Sequence, residues 1–373
     1  MQKFGPYART ATLAVALAAS LAGCAFMGAP PAPKPAPRLA APPAPPPRLK
    51  VMAFYDQTAG QAAPPNPLAL LKSHPGLVTE LAPFWYKVEP TGSVVGRPQD
   101  NLPALAQQQH LPLVPLFNNA QGNDTFLKDP AARSRAVNAI AGLVRTHRYA
   151  GVNIDFQGLS PADRQDLTTF MDALARALPK GSLLSMSVVP LKTTNGSQSA
   201  YDYRALDHIV GAMVLMAYDL HGDGTPPGPV SPIRWVSRAI YRARQAGVEA
   251  SKLYLGIANY GYDWPEGSSK ATTVPLKVMH AYRYGHYRYV PRYQEATTTY
   301  VSHGVKHVIW FVPDRGAVAR IRLAERYHLA GVAFWRVGYE DERWWNAVAA
   351  AVMHRPVAAV RPHHSPQHKG TGR

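Results

Sequence analysis

The chain has 373 residues, a formal net charge of +17 and a single cysteine. A lone cysteine excludes an internal disulfide, and the charge favours anionic surroundings: membrane head groups, cell-wall polymer or nucleic acid. The length permits one large core or two modest ones.

The first residues read as an export segment. Lys3 and Arg9 accompany an apolar run, Thr12 to Ala22, too short to span a bilayer as a mature helix. The run ends in Leu21-Ala22-Gly23-Cys24, which resembles a bacterial lipobox, where the cysteine is cut free and lipidated. Residues 1–24 are therefore expected to be a lipoprotein signal peptide with Cys24 as the lipidation site. An ordinary secretory signal is the alternative. Ala25 follows the cysteine where Asp would favour inner-membrane retention. The lipoprotein pattern thus implies a lipid-anchored envelope protein on the periplasmic face of the outer membrane. Export also argues against nucleic acid as partner. Residues 25–48 are mostly Pro and Ala, a composition that gives an extended, semi-rigid tether.

From residue 49 the pattern alternates. Leu49–Tyr55 reads as a strand, and Val78–Tyr86 as a second, followed by a turn at Gly92. Leu102–Gln109 is helical. Leu111–Asn119 is the third strand, although Pro112 and Pro115 are awkward for a central strand. Ala131–His147 is a helix with Ile140, Leu143 and Val144 on one face. The fourth strand lies in Tyr149–Gly158, where Val152, Ile154 and Phe156 alternate with Asn153, Asp155 and Gln157. Residues two apart share a face of a strand, so three amide or acid groups converge. They form either a site or a polar ladder inside a barrel without chemistry.

Ser160-Pro161-Ala162-Asp163 opens a helix with a capping-box pattern that runs to Leu178. Leu183–Val189 is the fifth strand, Tyr203–Asp207 a short helical turn, and Ala212–Asp219 the sixth strand. A Gly- and Pro-rich loop precedes a helix over Pro232–Ala246. Leu253–Gly261 is the seventh strand, Ala317–Tyr327 a helix, Gly331–Arg336 the eighth strand and Trp344–Met353 the last helix.

Eight strands alternating with helices predict an α/β fold, a (β/α)8 TIM barrel, over residues 49–355. The stretch between strands seven and eight, about residues 262–312, is long for one connection and is expected to be a small α+β insertion. A doubly wound open sheet is the runner-up, but no Gly-rich phosphate loop follows the first strand. The tail, residues 356–373, reads as disordered and basic.

Working residues of such barrels sit at the C-terminal ends of strands. The candidates there are Phe84, Trp85 and Tyr86; Asn118 and Asn119; Asn153, Asp155 and Gln157; Tyr218 and Asp219; Tyr260, Tyr262, Asp263 and Trp264; and Trp335. Aromatic faces stack on sugar rings, and acids and amides bond hydroxyl and acetamide groups. The set suits carbohydrate, although each aromatic taken alone is more often core.

The stretch Gly151-Val152-Asn153-Ile154-Asp155-Phe156-Gln157 resembles the fourth-strand signature of glycoside hydrolase family 18, D-G-x-D-x-D-x-E. It is closer still to the G-V-N-I-D-F-E of the spore-germination and cortex-lytic branch. Pro83-Phe84-Trp85-Tyr86, Leu215-Met216-Ala217-Tyr218-Asp219, Gly256 to Trp264 and Gly331-Val332-Ala333-Phe334-Trp335 match the same branch. The resemblance implies substrate-assisted hydrolysis of β-linked N-acetylglucosamine polymers, an exception to the two-carboxylate scheme. The substrate's acetamide oxygen attacks the anomeric carbon, and the signature's final Glu protonates the leaving oxygen. Carried over, Asp155 orients the acetamide, Tyr218 contacts it and Trp335 floors the central sugar. Trp85, Asn118, Asn153, Asp219, Tyr260 and Tyr262 complete the expected substrate-binding set.

The chain departs from the family at the acid, where it carries Gln157. A primary amide has no proton to give, yet it keeps the size of Glu and hydrogen-bonds a glycosidic oxygen. The expected protein is thus a monomeric, envelope-anchored barrel. It binds chitin-like glycan or peptidoglycan, needs no cofactor or metal, and has lost or weak hydrolysis. The alternative is an active hydrolase with a substitute acid, for which Asp219, Asp263 and Glu80 are the candidates.

Overall fold

The computed structural model describes residues 49–56, 71–98, 101–120, 122–193, 196, 198–279 and 287–353. The expected signal peptide with Cys24, the Pro/Ala tether and the basic tail lie outside them.

Eight parallel strands close a barrel: β1 (Lys50–Tyr55), β2 (Glu80–Val88), β4 (Leu116–Asn118), β5 (Gly151–Asp155), β6 (Leu183–Val188), β7 (Ala212–Leu215), β8 (Leu253–Ala258) and β14 (Gly331–Trp335). They pair in that order, and β14 returns to β1. A short β3 (Val94–Gly96) runs antiparallel to β2. Helices α1 (Leu102–Gln108), α2 (Thr125–Lys128), α3 (Pro130–His147), α4 (Arg164–Ala177), α5 (Tyr203–Ile209) and α6 (Ile233–Gln245) connect the strands. The expected TIM barrel is observed.

The period-2 pattern sorts the core into two layers. On β1, Val51, Ala53 and Tyr55 join the cluster between strands and helices, while Met52 and Phe54 join the barrel interior with Ala82, Leu116, Val214 and Ala333. Val152 and Ile154 on β5, and Phe156 just after it, face outward into the first cluster, which leaves the inner side to Asn153 and Asp155. The start of β5 needs glycine: a Cβ at Gly151 would lie 2.1 Å from the Leu183 carbonyl oxygen of the adjacent strand. Upstream, Asp129 caps α3 through the Ala131 N–H, and Pro130 occupies its first turn.

Three expected strands are shorter than the sequence suggests, the sixth keeping only Ala212–Leu215. The third keeps only Leu116–Asn118, with an isolated bridge at Leu113. Pro112 and Pro115 have no N–H for a ladder, although their carbonyls still accept from Leu81 and Asn153. The seventh divides at Asn259 into β8 and β9 (Tyr260–Pro265). There the Asn259 amide turns away to bond the Arg336 carbonyl and the Glu340 carboxylate.

After β8 the chain builds a second, antiparallel sheet ordered β10-β9-β13-β12-β11. It consists of β9, β10 (Thr272–Pro275), β11 (Arg288–Val290), β12 (Glu295–Ser302) and β13 (Val305–Phe311), with the one-turn α7 (Leu276–Met279). Helix α8 (Asp314–Arg326) leads back to β14, and α9 (Glu342–Val352) follows. The Glu295 carboxylate fastens this sheet to the loop before α6, accepting from the N–H groups of Val230 and Ser231 at 2.8 and 2.7 Å, with Arg320 of α8 at 3.1 Å.

Candidate active site

A cleft opens at the C-terminal ends of the barrel strands. It has two lobes, of about 790 Å³ and about 560 Å³, and Asp155 and Gln157 line both. The first lobe is bounded by Phe84, Lys87, Asn118, Asn119 and Gly122. The second is bounded by Lys192, Met216, Tyr218, Asp219, Trp235, Arg242 and Trp335.

The junction between the lobes is held from several sides. Asn119, at the end of β4, clamps the backbone of Gln157: its amide nitrogen donates to the Gln157 carbonyl at 2.8 Å, and its oxygen accepts from the Gln157 N–H at 2.9 Å. Tyr201 donates to the Phe156 carbonyl at 2.6 Å. So fixed, Gln157 points its amide nitrogen at both oxygens of Asp155, at 2.8 and 3.0 Å, with the Met216 sulfur at 3.7 Å. The Ser160–Asp163 capping box is formed directly downstream, on a single 3₁₀ turn that leads into α4.

Asp155 is 6% exposed. Burial pushes its carboxyl up to about 6, with the Gln157 amide pulling weakly the other way. Near neutral pH the group is mostly ionised and its charge is met by a neutral amide, not by a cation. Tyr218 stands on the other side of the cleft. Its ring fits because residue 256 is glycine; a Cβ there would come within 2.9 Å of the ring. Burial, then the charges of Asp219 and Asp155, push the Tyr218 hydroxyl well above its usual range, so it remains a donor.

Asp219 has a left-handed backbone, φ 59°. Its carboxylate accepts from Tyr260 at 2.6 Å and Tyr262 at 3.1 Å. Its residue surface is open to the cleft, yet the surrounding aromatic rings desolvate the carboxyl and push its pKa up, against the pull of the two phenols. Trp335 lies half-buried at the end of β14, tilted against Phe54 at 5.6 Å and edge-on to Phe84 at 6.2 Å between ring centres.

The cleft therefore brings together Asn118, Asp155, Gln157, Tyr218, Asp219 and Trp335. Tyr260 and Tyr262 stand behind it, joined through Asp219. Two expected residues are elsewhere. Asn153 is 0% exposed, a layer below Asp155; its amide donates to Ser185 and accepts from Ser187, both at 3.0 Å, and its burial keeps it out of a ligand's reach. Trp85 is 6% exposed and packs outside the barrel, beside Tyr86 and Tyr149. Alternation already turns it outward, since Ala82 and Phe84 face the interior and Leu81 the outer layer; the bulge, with Phe84 pairing Leu116 but Tyr86 pairing Phe117, turns Tyr86 to the same outer side. Phe84 takes the place at the cleft. Asn118 lines the first lobe, but its side chain bonds the Tyr86 carbonyl and the Ala120 N–H.

Of the candidate substitute acids only Asp219 reaches the cleft. Glu80 begins β2, at the opposite end of the barrel, near Lys50 and Tyr254. Asp263 is held in the second sheet by Tyr300 and by His307 at 3.0 Å. Sequence reasoning missed Lys192, Met216, Trp235 and Arg242. Lys192 follows the end of the fifth strand and the strand-end rule reaches it; Arg242 and Trp235 lie on a helix, and nothing in their spacing marks them. Among the described residues no group of three or more His, Cys, Asp or Glu is placed to hold a metal ion.

The architecture and cleft are those of a (β/α)8 barrel with its site at the strand ends. The chain belongs to the glycosyl hydrolases of family 18, whose family model matches residues 87–340. It is 30% identical over 294 residues to YdhD of Bacillus subtilis (strain 168), provisionally named a sporulation-specific glycosylase, covering 74% of this chain and 70% of that one. It is 26% identical over 257 residues to the cortical fragment-lytic enzyme of Bacillus anthracis, covering 64% of this chain and only 60% of that enzyme. Among solved structures, the spore cortex-lytic enzyme SleL of Bacillus cereus superposes with a TM-score of 0.74 at 22% identity, over 84% of this chain and 76% of that one. A chitinase of Chromobacterium violaceum superposes with a TM-score of 0.72 at 25% identity, over 82% and 99%.

Proposed function

We propose that the cleft binds glycan containing N-acetylglucosamine and that its hydrolysis is lost or weak. One observation carries this reading. At the junction of the two lobes, where the family signature calls for an acid, an amide nitrogen is bonded to both oxygens of Asp155. Bonded so, Gln157 orients the carboxylate but delivers no proton to a leaving oxygen. General acid catalysis contributes about 10²–10⁴-fold, so an otherwise intact site would hold sugar and cut it slowly. Asp155 would orient the acetamide, Tyr218 would donate to it, and Trp335 would floor the sugar. The relatives' names, chitinase and cortical fragment-lytic enzyme, support this glycan class. The protein would act from the cell envelope, held by lipid on Cys24 and spaced from the membrane by residues 25–48.

The test is calorimetric titration with an N-acetylglucosamine tetramer or pentamer, with products followed by chromatography. Saturable binding without measurable cleavage is expected; absence of binding overturns the reading. A second reading, hydrolysis through Asp219, rests on that group's place in the cleft and its raised pKa. Cleavage by the wild type that Asp219→Asn abolishes would favour it.

A further inference from the structure

The second lobe carries cations that the reading above does not use. Lys192 follows β6 and is exposed. Arg242, on α6, donates one guanidinium nitrogen to the Leu191 carbonyl at 3.0 Å, which holds it on the same rim as Lys192. Neither has a carboxylate partner among the described residues. The first lobe differs, because its Lys87 is paired with Glu89 at 2.7 Å. The two carboxylates that share the second lobe are engaged by neutral groups: Asp155 by the Gln157 amide, Asp219 by two tyrosine hydroxyls. The rim thus presents two positive groups with no carboxylate in contact, in the lobe that Trp335 also lines, and a neutral polymer offers them hydroxyl and carbonyl acceptors but no charge-assisted partner.

We propose that this rim binds a carboxylate carried on one sugar of the glycan, so that the protein selects acidic amino-sugar polymers over neutral chitin-type ones. The inference rests on the reading of the cleft as a glycan site. A guanidinium with free N–H groups and a mobile ammonium form charge-assisted hydrogen bonds to a carboxylate. On an amino-sugar polymer that carboxylate comes from a lactyl ether or from a peptide joined to it.

Three tetrasaccharides separate these cases by calorimetry: all N-acetylglucosamine; alternating N-acetylglucosamine and N-acetylmuramic acid with free lactyl groups; and the same oligomer amidated with an alanyl-glutamate dipeptide. Wild type should bind at least one acidic oligomer about tenfold more tightly than the neutral one, the size of one charge-assisted hydrogen bond. The preference should fall as salt rises. Lys192→Gln and Arg242→Gln should each lower affinity for the preferred acidic oligomer about fivefold or more beyond any loss on the neutral one, and should flatten the salt dependence. The acidic oligomer that is preferred identifies the source. Equal wild-type affinity for all three, or equal loss on neutral and acidic oligomers in the variants, overturns the inference and leaves the glycan reading standing. No binding of any oligomer overturns both. Should Arg242→Gln lower the melting temperature, exposed Lys192→Gln carries the test alone.

Discussion

A carboxyl group at position 157 would face Asp155 at hydrogen-bond distance, in place of an amide that now donates to both its oxygens. Two close carboxylates do not both ionise readily, and the pair takes up a shared proton. Asp155 is already pushed up to about 6 by burial, so Gln157→Glu creates a carboxyl group that stays protonated into the neutral range, as a general acid requires. The side chain is exposed and nearly isosteric, and its backbone is clamped by Asn119; the variant should fold. We expect it to raise hydrolysis of N-acetylglucosamine oligomers at least roughly tenfold, a cautious share of what a general acid supplies, with retention at the anomeric centre. Chromatography of both proteins on one substrate decides. Equal activity would place the proton donor elsewhere, and bound but uncut sugar in both would mean that more than the acid is missing. At this scale the sequence was most informative at Asp155 and Gln157, because alternation on one strand assigns faces directly. It misled at Asn153, which shares that face but lies one layer deeper. Alternation gives direction, not depth.

Strand β14 and the turn after it join the cleft to the body of the barrel. Trp335→Ala should weaken oligosaccharide affinity more than about tenfold, the upper part of the range for aromatic contacts. The comparison holds at unchanged melting temperature, because Trp335 also packs on Phe54 and Phe84; affinity kept intact in a folded variant removes it from the site. Five residues on, Glu340 is 0% exposed. It accepts from the Trp345 indole at 2.7 Å, Asn259 at 2.7 Å and the Gly338 N–H at 3.1 Å, and burial pushes it from 4.5 up to about 7. A raised folded pKa means the folded protein keeps a proton that the unfolded chain has lost. The contribution is full below pH 4.5, shrinks as pH rises and is gone above about 7. The swing is on the order of 3 kcal/mol. An amide does not titrate, so the Tm of Glu340→Gln, whatever its deficit at pH 5, should approach the wild-type Tm by pH 8. A deficit independent of pH would show that Glu340 stays ionised throughout. None of this was legible beforehand, since Glu340 meets Asn259 only across the fold. The shortened third strand was half legible: its prolines were visible, but not how few ladder bonds would survive them. The bulge at Trp85 left no mark in the sequence.

For the whole molecule, strand–helix alternation sufficed for the barrel because each βα unit carries its own periodicity, whereas the order β10-β9-β13-β12-β11 depends on pairings between distant strands. The buried Glu295–Arg320 pair, which ties that sheet to α8, was equally invisible, since nothing local distinguishes it from two surface charges. No helix among the described residues is long and apolar enough to cross a membrane, and the proposed envelope attachment is open to test. Two mechanisms compete there. A net charge of +17 attracts the protein to anionic lipid, at about 1 kcal/mol for each Lys or Arg near the surface. That attraction fades within a Debye length, which shrinks from about 10 Å at 0.1 M salt to about 3 Å at 1 M. An acyl chain contributes about 0.8 kcal/mol per buried CH₂, a hydrophobic term that salt does not screen. High-salt washing therefore distinguishes them. The wild type should remain with membranes through a 1 M wash, and Cys24→Ser should appear in the soluble fraction. Retention of the washed variant would overturn lipid anchoring at Cys24, and release of both proteins by salt alone would make the basic surface, rather than the cysteine, the means of attachment.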